Sequence, residues 1–291
     1  MKRLFRLILT SCLLAASPAW CWWQTGHRVV ARIAAAHLTP AARTRIARIL
    51  GVPDTPDAVA DALAQASTWA DETKKETGTG DWHFINLTLQ DHKSDIPERC
   101  PNDNCATARI RLFAAELKSG VPGARWSELD ALRFLIHFVG DIHQPLHDIS
   151  DADLGGNCER LNPPIDRAKN LHALWDGGII DAMHISDRSL AAGLESQIAR
   201  MHRSTRQKLS AGDHDDWAWE AHELGIRDIY QKLHIPVEPV EFPDGCKEAP
   251  ADVTDFKAPI DGLYIDAMKP VVQAQLTKGG LRLARLLNET L

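Results

Sequence analysis

The densest group of side chains able to bind a metal or move a proton is the segment HFVGDIHQPLH, which begins at His137. His137 and Asp141 are four residues apart, so on a helix they lie one above the other on a single face. A histidine and a carboxylate at that spacing can bind one cation or two neighbouring cations. His147 follows Pro145, where the chain leaves the helix, and can approach from another direction. His143 points away from the shared face and is expected to support the site instead of binding metal.

A second pair, His172 and Asp176, repeats the four-residue spacing in the segment NLHALWD. One buried histidine bonded to an aspartate is more often structural than metal-binding. Two such pairs, one of them inside a cluster of three histidines, favour a metal centre. A metal-free proton-transfer site is the alternative, but a single base does not require so many imidazoles. The chain has 13 histidines and only 2 tyrosines, which agrees with the metal interpretation.

Three further candidates precede these pairs. Asp71 follows STWA, and His83 begins HFIN; each alone would pass for an ordinary surface or core residue. His27 comes five residues after Trp22. If Trp22 were a new N-terminus, its α-amino group, with an ordinary pKa near 8, could lose its proton to a metal. Trp22 would then chelate through its amine and carbonyl, with His27 as a third ligand.

The first 21 residues predict a cleavable export signal. Three basic residues precede an apolar run from Leu7 to Ala16, and small residues follow it before Cys21. A lipidation site at Cys12 is the alternative, disfavoured because the apolar stretch before it is very short. The run is too short to span a bilayer, and no later segment has the length. We therefore expect a secreted or periplasmic protein that has no membrane association after cleavage.

Composition predicts one folded domain over residues 22–291, or at most two. The 291 residues are 44% apolar and 25% charged, which allows a substantial core and argues against bulk disorder.

Loss of the three basic residues of the signal moves the net charge from −6 to −9. An acidic protein is a poor candidate for binding phosphate through a basic surface, but bound cations would reverse that locally.

Four cysteines remain after the signal, and an even number in an exported protein predicts two disulfides with three possible pairings. The short loop from Cys100 to Cys105, next to Pro101, favours that pair and leaves Cys158 for Cys246. A tetra-cysteine zinc site is the alternative, but no CxxC spacing supports it.

Helical periodicity extends over nearly the whole chain and predicts an all-α fold. The expected helices cover residues 26–38, 40–51, 57–69, 106–117, 127–142, 171–182, 187–209, 215–233 and 260–287. Residues 83–89 are expected to be a short extended piece and 148–168 a loop. A proline-rich excursion from 236 to 259 carries Cys246. No internal repeat or linker interrupts the pattern.

The motifs in this order resemble the zinc-dependent single-strand nucleases of plants and fungi, the mung-bean-nuclease type, which have bacterial relatives. The resemblance covers essentially the whole chain after the signal. The matching segments are WWQTGH from Trp22, STWAD from Ser67, WHFIN from Trp82, HFVGDIHQPLH from His137, GGN from Gly155, NLHALWD from Asn170, WAWEAH from Trp217 and the GGLRLARLLN ending.

This resemblance implies three zinc ions and assigns a ligand to each matching position. A first, buried ion would be held by Asp71, His83, His137 and Asp141. A second would be held by Trp22, His27 and a shared Asp141. A third, more exposed ion would be held by His147, His172 and Asp176. Three Zn²⁺ add six positive charges, so phosphate would be attracted to the metals, and a bridging Asp141 would offset the repulsion between two of them.

The same resemblance implies a nucleobase pocket, in which Phe84 stacks under a base and Asn86, Gly155 and Asn157 contact its edge. Stacking accepts any base that is free of a duplex. Lys74 matches a basic residue near the scissile phosphate, which with Asp71 and Asp141 completes the catalytic set. From spacing alone, Phe84 would be a core aromatic and Lys74 one residue of a charged surface run. Asn86 departs from plant and fungal members, which have Asp there, so base preference does not transfer.

The implied activity is hydrolysis of single-stranded DNA and RNA to 5′-phosphorylated products, with 3′-nucleotides as further substrates and a monomer as the expected state. A zinc phospholipase C, similar in fold and metal chemistry, is one alternative. Its N-terminal tryptophan lies further from the first histidine ligand and its last ligand pair ends in Glu. A non-catalytic zinc-binding protein is the other alternative, although such sites tend to be closed or cysteine-rich.

Overall fold

α-Helices make up nearly all regular structure in the computed structural model, which describes residues 22–121, 123–236, 246 and 260–291. They are α1 (Trp23–Ala36), α2 (Pro40–Leu50), α3 (Pro56–Ala66), α4 (Trp69–Thr77), α5 (Ala106–Ser119), α6 (Glu128–Asp141), α7 (Leu171–Ala173), α8 (Ile179–Asp181), α9 (Asp187–Arg200), α10 (Arg203–Leu209), α11 (His214–Gly225), α12 (Gln231–Leu233) and α13 (Gly262–Thr290). Two π-helical turns, Leu174–Gly178 and Ile226–Tyr230, join α7 to α8 and α11 to α12. The expected all-α architecture is confirmed.

Local sequence explains where the main helices begin and end. The Thr39 side chain accepts from the N–H of Ala42, and Pro40 occupies the first turn of α2, where a missing N–H is harmless. Ser127 and Asp130 form a reciprocal capping box at the start of α6. These two helices begin where the sequence predicts, within one residue.

Helix α6 runs through the centre of the molecule. Nearly all of its second half is buried, including Leu135, Phe138 and Val139, because α5, α4 and α1 pack around it. Helix α1 in turn packs against α3, α9 and the long C-terminal helix α13. The helix that carries HFVGD is therefore held from several sides, and its polar residues His137 and Asp141 are fully buried.

Two expected helices are interrupted in the structure. The helix expected over 57–69 ends at Ala66, and α4 begins at Trp69, so Asp71 lies in the first turn of a new helix. The helix expected over 187–209 is broken at Met201 and His202 into α9 and α10. Hydrophobic periodicity did not reveal either break, because the apolar spacing continues across both.

The extended structure also differs from the expectation. Residues 84–88 form no strand, whereas Arg160–Ile165 and Ala168–Asn170 pair as an antiparallel hairpin inside the expected loop. Short 3-10 helices cover Gly80–His83 and Pro145–His147. Prolines in a sequence normally disfavour a strand assignment. The first hairpin strand tolerates them because both strands of the hairpin are edge strands.

Both expected disulfides are present, Cys100–Cys105 and Cys158–Cys246. Such bonds persist in oxidising compartments. The predicted signal peptide, residues 1–21, lies outside the described residues, as does most of the proline-rich excursion. Within the described ranges, no helix is long and apolar enough to cross a membrane.

Candidate metal centre

Asp141, at the C-terminal end of α6, is the centre of a cluster of buried imidazoles. Its two oxygens face different histidines, and the carboxylate is fully buried. Oδ2 lies 3.0 Å from His83 Nδ1 and 3.2 Å from His137 Nε2. Oδ1 lies 3.4 Å from His27 Nε2 and 3.5 Å from His147 Nδ1. A carboxylate placed between sets of imidazoles has the arrangement that a bridging ligand requires.

We call His27, Asp71, His83, His137 and Asp141 the inner group. Asp71 Oδ1 lies 3.6 Å from His83 Nδ1 and 3.7 Å from His137 Nε2. The ligand atoms of Asp71, His83 and His137 lie close enough to one another to hold an ion together. The same holds for His27, His137 and Asp141. The structure thus brings together the side chains expected for the first two ions.

His27 reaches this group because α1 and α6 approach closely. Its ring stacks on that of His137 with centroids 3.9 Å apart. A Cβ at Gly140 would lie 2.6 Å from His27 Nδ1, so only glycine fits at that position without a shift. Trp22 directly precedes α1 and its side chain is buried, while ligation by its amine and carbonyl stays a prediction.

We call His147, His172 and Asp176 the outer group. His147 Nε2 lies 3.3 Å from Asp176 Oδ1, and His172 Nε2 lies 3.3 Å from Asp176 Oδ2. The two imidazole rings stack with centroids 5.1 Å apart. Asp176 lies in the π-helical turn between α7 and α8, a feature often found at functional sites. These three residues are the ligands expected for the third ion.

Backbone carbonyls hold three of these histidines in orientations that suit a metal. The Nδ1–H of His137 donates to Ser67 O at 2.6 Å, that of His147 to His83 O at 3.0 Å and that of His172 to Gly155 O at 2.7 Å. Each Nε2 then faces a carboxylate oxygen, and that of His147 has no hydrogen-bond partner among the described residues. Metal-binding histidines are commonly fixed in this way through the nitrogen that does not bind the metal.

Unpartnered polar atoms at the centre of the cluster also fit bound cations. Among the described residues, neither ring nitrogen of His27 has a hydrogen-bond partner, and the same is true of His147 Nε2 and Asp141 Oδ1. Burying such a group without a partner is unfavourable, on the order of 1–3 kcal/mol each. Imidazole nitrogen with carboxylate oxygen is a donor set that suits Zn²⁺.

Electrostatics without a cation show how strongly these groups interact. Burial lowers the pKa of His137, but Asp141 and Asp71 outweigh burial and raise that pKa to about 10. Burial raises the pKa of Asp71, whereas His137 and Lys74 hold it well below its ordinary value. Burial lowers the pKa of His27, so its imidazole is neutral at neutral pH. A carboxylate binds a metal in its ionised form and an imidazole in its neutral form, and these are the forms of Asp71 and His27.

A pocket of about 300 Å³ opens beside the outer group. Its wall combines metal-binding candidates with apolar and amide side chains. It is lined by Lys74, Gly80, His83, Phe84, Asn86, Leu146, His147, Leu154, Asn157, His172 and Asp176. The ammonium group of Lys74 lies 3.1 Å from Asp71 Oδ1. Phe84, Asn86 and Asn157 therefore share one cavity with the histidines, as a base pocket beside a metal centre requires.

Gly155 and Asn157, two residues expected to contact a base, already make hydrogen bonds to their own loop and to neighbouring residues. The Gly155 N–H donates to Ser150 Oγ and its carbonyl accepts from His172, and Gly155 does not line the pocket. Its φ is +61°, and the Cβ of any other residue at this position would lie 2.3 Å from Leu146 O. The Asn157 amide donates to Leu154 O at 2.9 Å. Contact of either residue with a base stays a prediction, and the geometry gives Gly155 a clear structural role.

Sequence analysis missed Gln144. This buried side chain donates to Asp176 Oδ1 at 2.6 Å and accepts from Leu146 N at 2.7 Å. Its position between two ligand candidates in HFVGDIHQPLH was the available signal. The side chain of His143, the expected supporting residue, is instead hydrogen-bonded to Val139 O and to the Arg282 guanidinium, and has no hydrogen bond or ion pair to a member of either group.

Comparison with known proteins gives a consistent result. A family model described as S1/P1 Nuclease matches residues 22–291. Endonuclease 3 of Arabidopsis thaliana is 29% identical over 97% of this chain and 92% of its own length. Nuclease S1 of Aspergillus oryzae is 27% identical over 97% of this chain and 96% of its own length. Nuclease P1 of Penicillium citrinum is 29% identical over 92% of this chain and 97% of its own length.

Proposed function

The chain belongs to the S1/P1 nuclease family, and we propose that it hydrolyses single-stranded DNA and RNA with the help of zinc to give 5′-phosphorylated products. We also propose that 3′-nucleotides are substrates. The observation that carries this proposal is the shared pocket, in which an aromatic platform, a lysine and metal-binding histidines line one cavity. A phosphate and its nucleobase can therefore be held together there.

We assign three zinc ions to the two groups. The first would be held by Asp71, His83, His137 and Asp141, the second by Trp22 through its amine and carbonyl with His27 and Asp141, and the third by His147, His172 and Asp176. Zinc, when bound, lowers the pKa of water and stabilises negative charge on phosphate oxygens. The convergence of Nε2 atoms and carboxylates described above supports this assignment.

The chain's own residues supply orientation and charge. The lowered pKa of Asp71 keeps that carboxylate ionised, so it accepts a hydrogen bond from the attacking water and orients it. Lys74, in the pocket wall beside Asp71, donates to a phosphate oxygen and stabilises the charge that develops there. As water attacks phosphorus, a new P–O bond forms and the bond to the 3′ oxygen breaks. The proton that the water gives up passes, through solvent, to the 3′ oxygen, which leaves as a 3′-hydroxyl.

Phe84 explains why a single strand is preferred. Its half-buried ring lines the pocket and offers a stacking platform to any base. A base that is paired and stacked in a duplex cannot enter such a cavity without first leaving the helix. The Asn86 amide can donate as well as accept, so we propose that it contacts the edges of different bases.

Two further predictions about the protein remain proposals. We propose that residues 1–21 are removed on export, which creates the free amine of Trp22, and that the mature protein acts as a monomer outside the cytoplasm. The two disulfides support an oxidising compartment.

The direct test is release of acid-soluble nucleotides from single-stranded DNA, RNA and duplex DNA by the processed protein, with and without a chelator. We expect activity on both single-stranded substrates, little on the duplex, loss with chelator and recovery with added zinc. Cleavage of choline phospholipid without cleavage of nucleic acid would contradict the proposal in favour of a phospholipase. Stoichiometric zinc without hydrolysis of either substrate would indicate a non-catalytic protein.

A further inference from the structure

Two arginines lie over neighbouring tryptophan rings beside the pocket, and we call this feature the arginine rim. The guanidinium carbon of Arg109 lies 4.1 Å from the ring centroid of Trp82. That of Arg125 lies 4.6 Å from the centroid of Trp126. The two rings meet edge to face with centroids 5.9 Å apart. Cation–π contacts therefore fix two positive charges close together on the surface.

The arginine rim adjoins the wall of the pocket from two directions. Ala106 N donates to Phe84 O at 3.1 Å, and Arg109 lies one helical turn further along α5. Arg125 donates to Thr77 O at 2.6 Å, at the end of the helix that carries Lys74. Trp82 itself follows the pocket residue Gly80 by two positions. A chain leaving the pocket past Phe84 and Lys74 would meet this surface.

The charges of the arginine rim are not neutralised by nearby carboxylates. The Arg109 side chain has no ion pair or hydrogen bond to any described residue, and its Nε is buried without a partner. Burial lowers the pKa of Arg109; Asp103 raises it, and Arg125 lowers it further by repulsion. The Asp103 carboxylate is itself paired with Arg111 at 2.9 Å. Two arginines that repel each other, in a chain of net charge −6, would be stabilised by a shared anion.

We propose that the arginine rim binds backbone phosphates of the single strand outside the pocket, next to the bond that is cleaved. This inference rests on the proposed function and adds the polymer-binding surface to it. Arginine suits phosphate because its planar fork offers several donors in a fixed geometry. A positive track beside aromatic rings is a common way to hold single strands without reading sequence. A mononucleotide is too short to reach the arginine rim, so this surface favours polymers alone.

The test compares the double variant Arg109→Gln/Arg125→Gln with wild type on a long oligothymidylate and on a 3′-mononucleotide. Each phosphate contact on a single strand contributes about 0.7 to the slope of log affinity against log salt, so we expect the slope for the oligomer to fall by about 1.4. The kcat/KM on the oligomer should fall about tenfold at low salt, through KM. On the mononucleotide it should stay within about twofold.

A matched control is Arg285→Gln. Arg285 also lies over a tryptophan, Trp217, and donates to a backbone carbonyl, that of Gly212, but α13 contributes no residue to the pocket. This control should keep the wild-type salt slope. Arg109→Lys/Arg125→Lys should restore most of the slope, because the charges are retained.

The outcomes separate the two proposals. An unchanged salt slope in the folded glutamine variant would contradict the proposal that the arginine rim binds phosphates. So would an equal loss of kcat/KM on the oligomer and on the mononucleotide. If the double variant does not fold, Arg125→Gln alone, at an exposed position, should still lower the slope by about 0.7. Absence of cleavage by the wild type would instead refute the proposed function, before any variant is compared.

Discussion

The inner and outer groups use the same kinds of side chain but are held in different ways. Four of the five inner residues project from α1, α4 and α6, which pack around the centre of the molecule, and the fifth, His83, ends the 3-10 helix Gly80–His83 beside α6. Asp141 faces all three histidines of the group. The outer residues lie on a 3-10 turn, on the one-turn helix α7 and on a π-helical turn, and their hydrogen bonds are to the carbonyls of His83 and Gly155 and to the Gln144 amide. Packing between long helices therefore positions most of the inner group, whereas the outer group, on short turns beside the pocket, depends more on individual hydrogen bonds.

The largest expected effect comes from removing the shared carboxylate. Asp141→Ala should lose about two zinc ions and at least a thousandfold in kcat, because metals supply several kcal/mol of transition-state stabilisation. Asp176→Ala should lose one zinc ion only. Metal analysis of the two purified variants beside wild type checks this. Equal zinc content in both variants would remove the distinction between a shared and an unshared ligand.

Blocking the N-terminus should have nearly as large an effect, confined to the inner group. A protein with one extra residue before Trp22 cannot ligate through a free amine, so it should lose one zinc ion and nearly all activity. The measurement is zinc content with kcat on single-stranded DNA. Full activity in the extended protein would show that the Trp22 amine is not a ligand.

A smaller effect, confined to the outer group, is expected from Gln144→Ala. Without this amide Asp176 is held less firmly, and outer-shell partners of ligands typically contribute about 10–100-fold in metal affinity. Titration with a competing chelator should show one weakened zinc ion and two unchanged. Gln275→Ala is a matched control, since that buried glutamine donates to His143 O and touches no ligand. Equal weakening of all ions would show that Gln144 does not act on the outer group specifically.

The smallest expected effect is on the free energy of unfolding, through the loop that supports the outer group. Burial, with Asp153 and Asp151 nearby, raises the pKa of Glu159 to about 8 from an ordinary 4.5. The folded state then retains a proton that the unfolded state releases, so stability falls as pH rises from about 4.5 to about 8. Glu159→Gln should remove this loss and stabilise the protein by roughly 1–3 kcal/mol at pH 8 but not at pH 4.

Denaturant unfolding at both pH values measures this effect. Glu223→Gln, which removes the same charge from an exposed position on α11, is the control and should shift neither value appreciably. A gain from Glu159→Gln that is equal at pH 4 and pH 8 would contradict the linkage to proton binding.

The difference between the groups also explains what could be predicted from sequence. His137 with Asp141 and His172 with Asp176 are recognisable because helical spacing alone places each pair on one face. Asp71 and His83 are far from these pairs in sequence, and only the resemblance to a known family connected them. Their positions in the fold depend on how α4, which carries Asp71, and the 3-10 helix that ends at His83 pack against α6.

Elements that are fixed by tertiary hydrogen bonds were not predicted. The break between α3 and α4 leaves Ser67 O free to accept a hydrogen bond from His137. The spacing of apolar residues gives no indication of this hydrogen bond. Gln144 acts through one contact with Asp176 across 32 residues of sequence, which no local rule detects. The hairpin at 160–170 was missed because its prolines resemble those of a loop.

Gly140 has a consequence for anyone who wishes to redesign this protein. Because the His27 ring occupies the space that any other side chain would need, even the change to alanine would push apart the first and sixth helices and the proposed ligands on them. A mutagenesis library aimed at new base preference should therefore keep this contact fixed. Diversity is better directed at Asn86 and Leu154, which face the cavity and do not contribute to the helix interface.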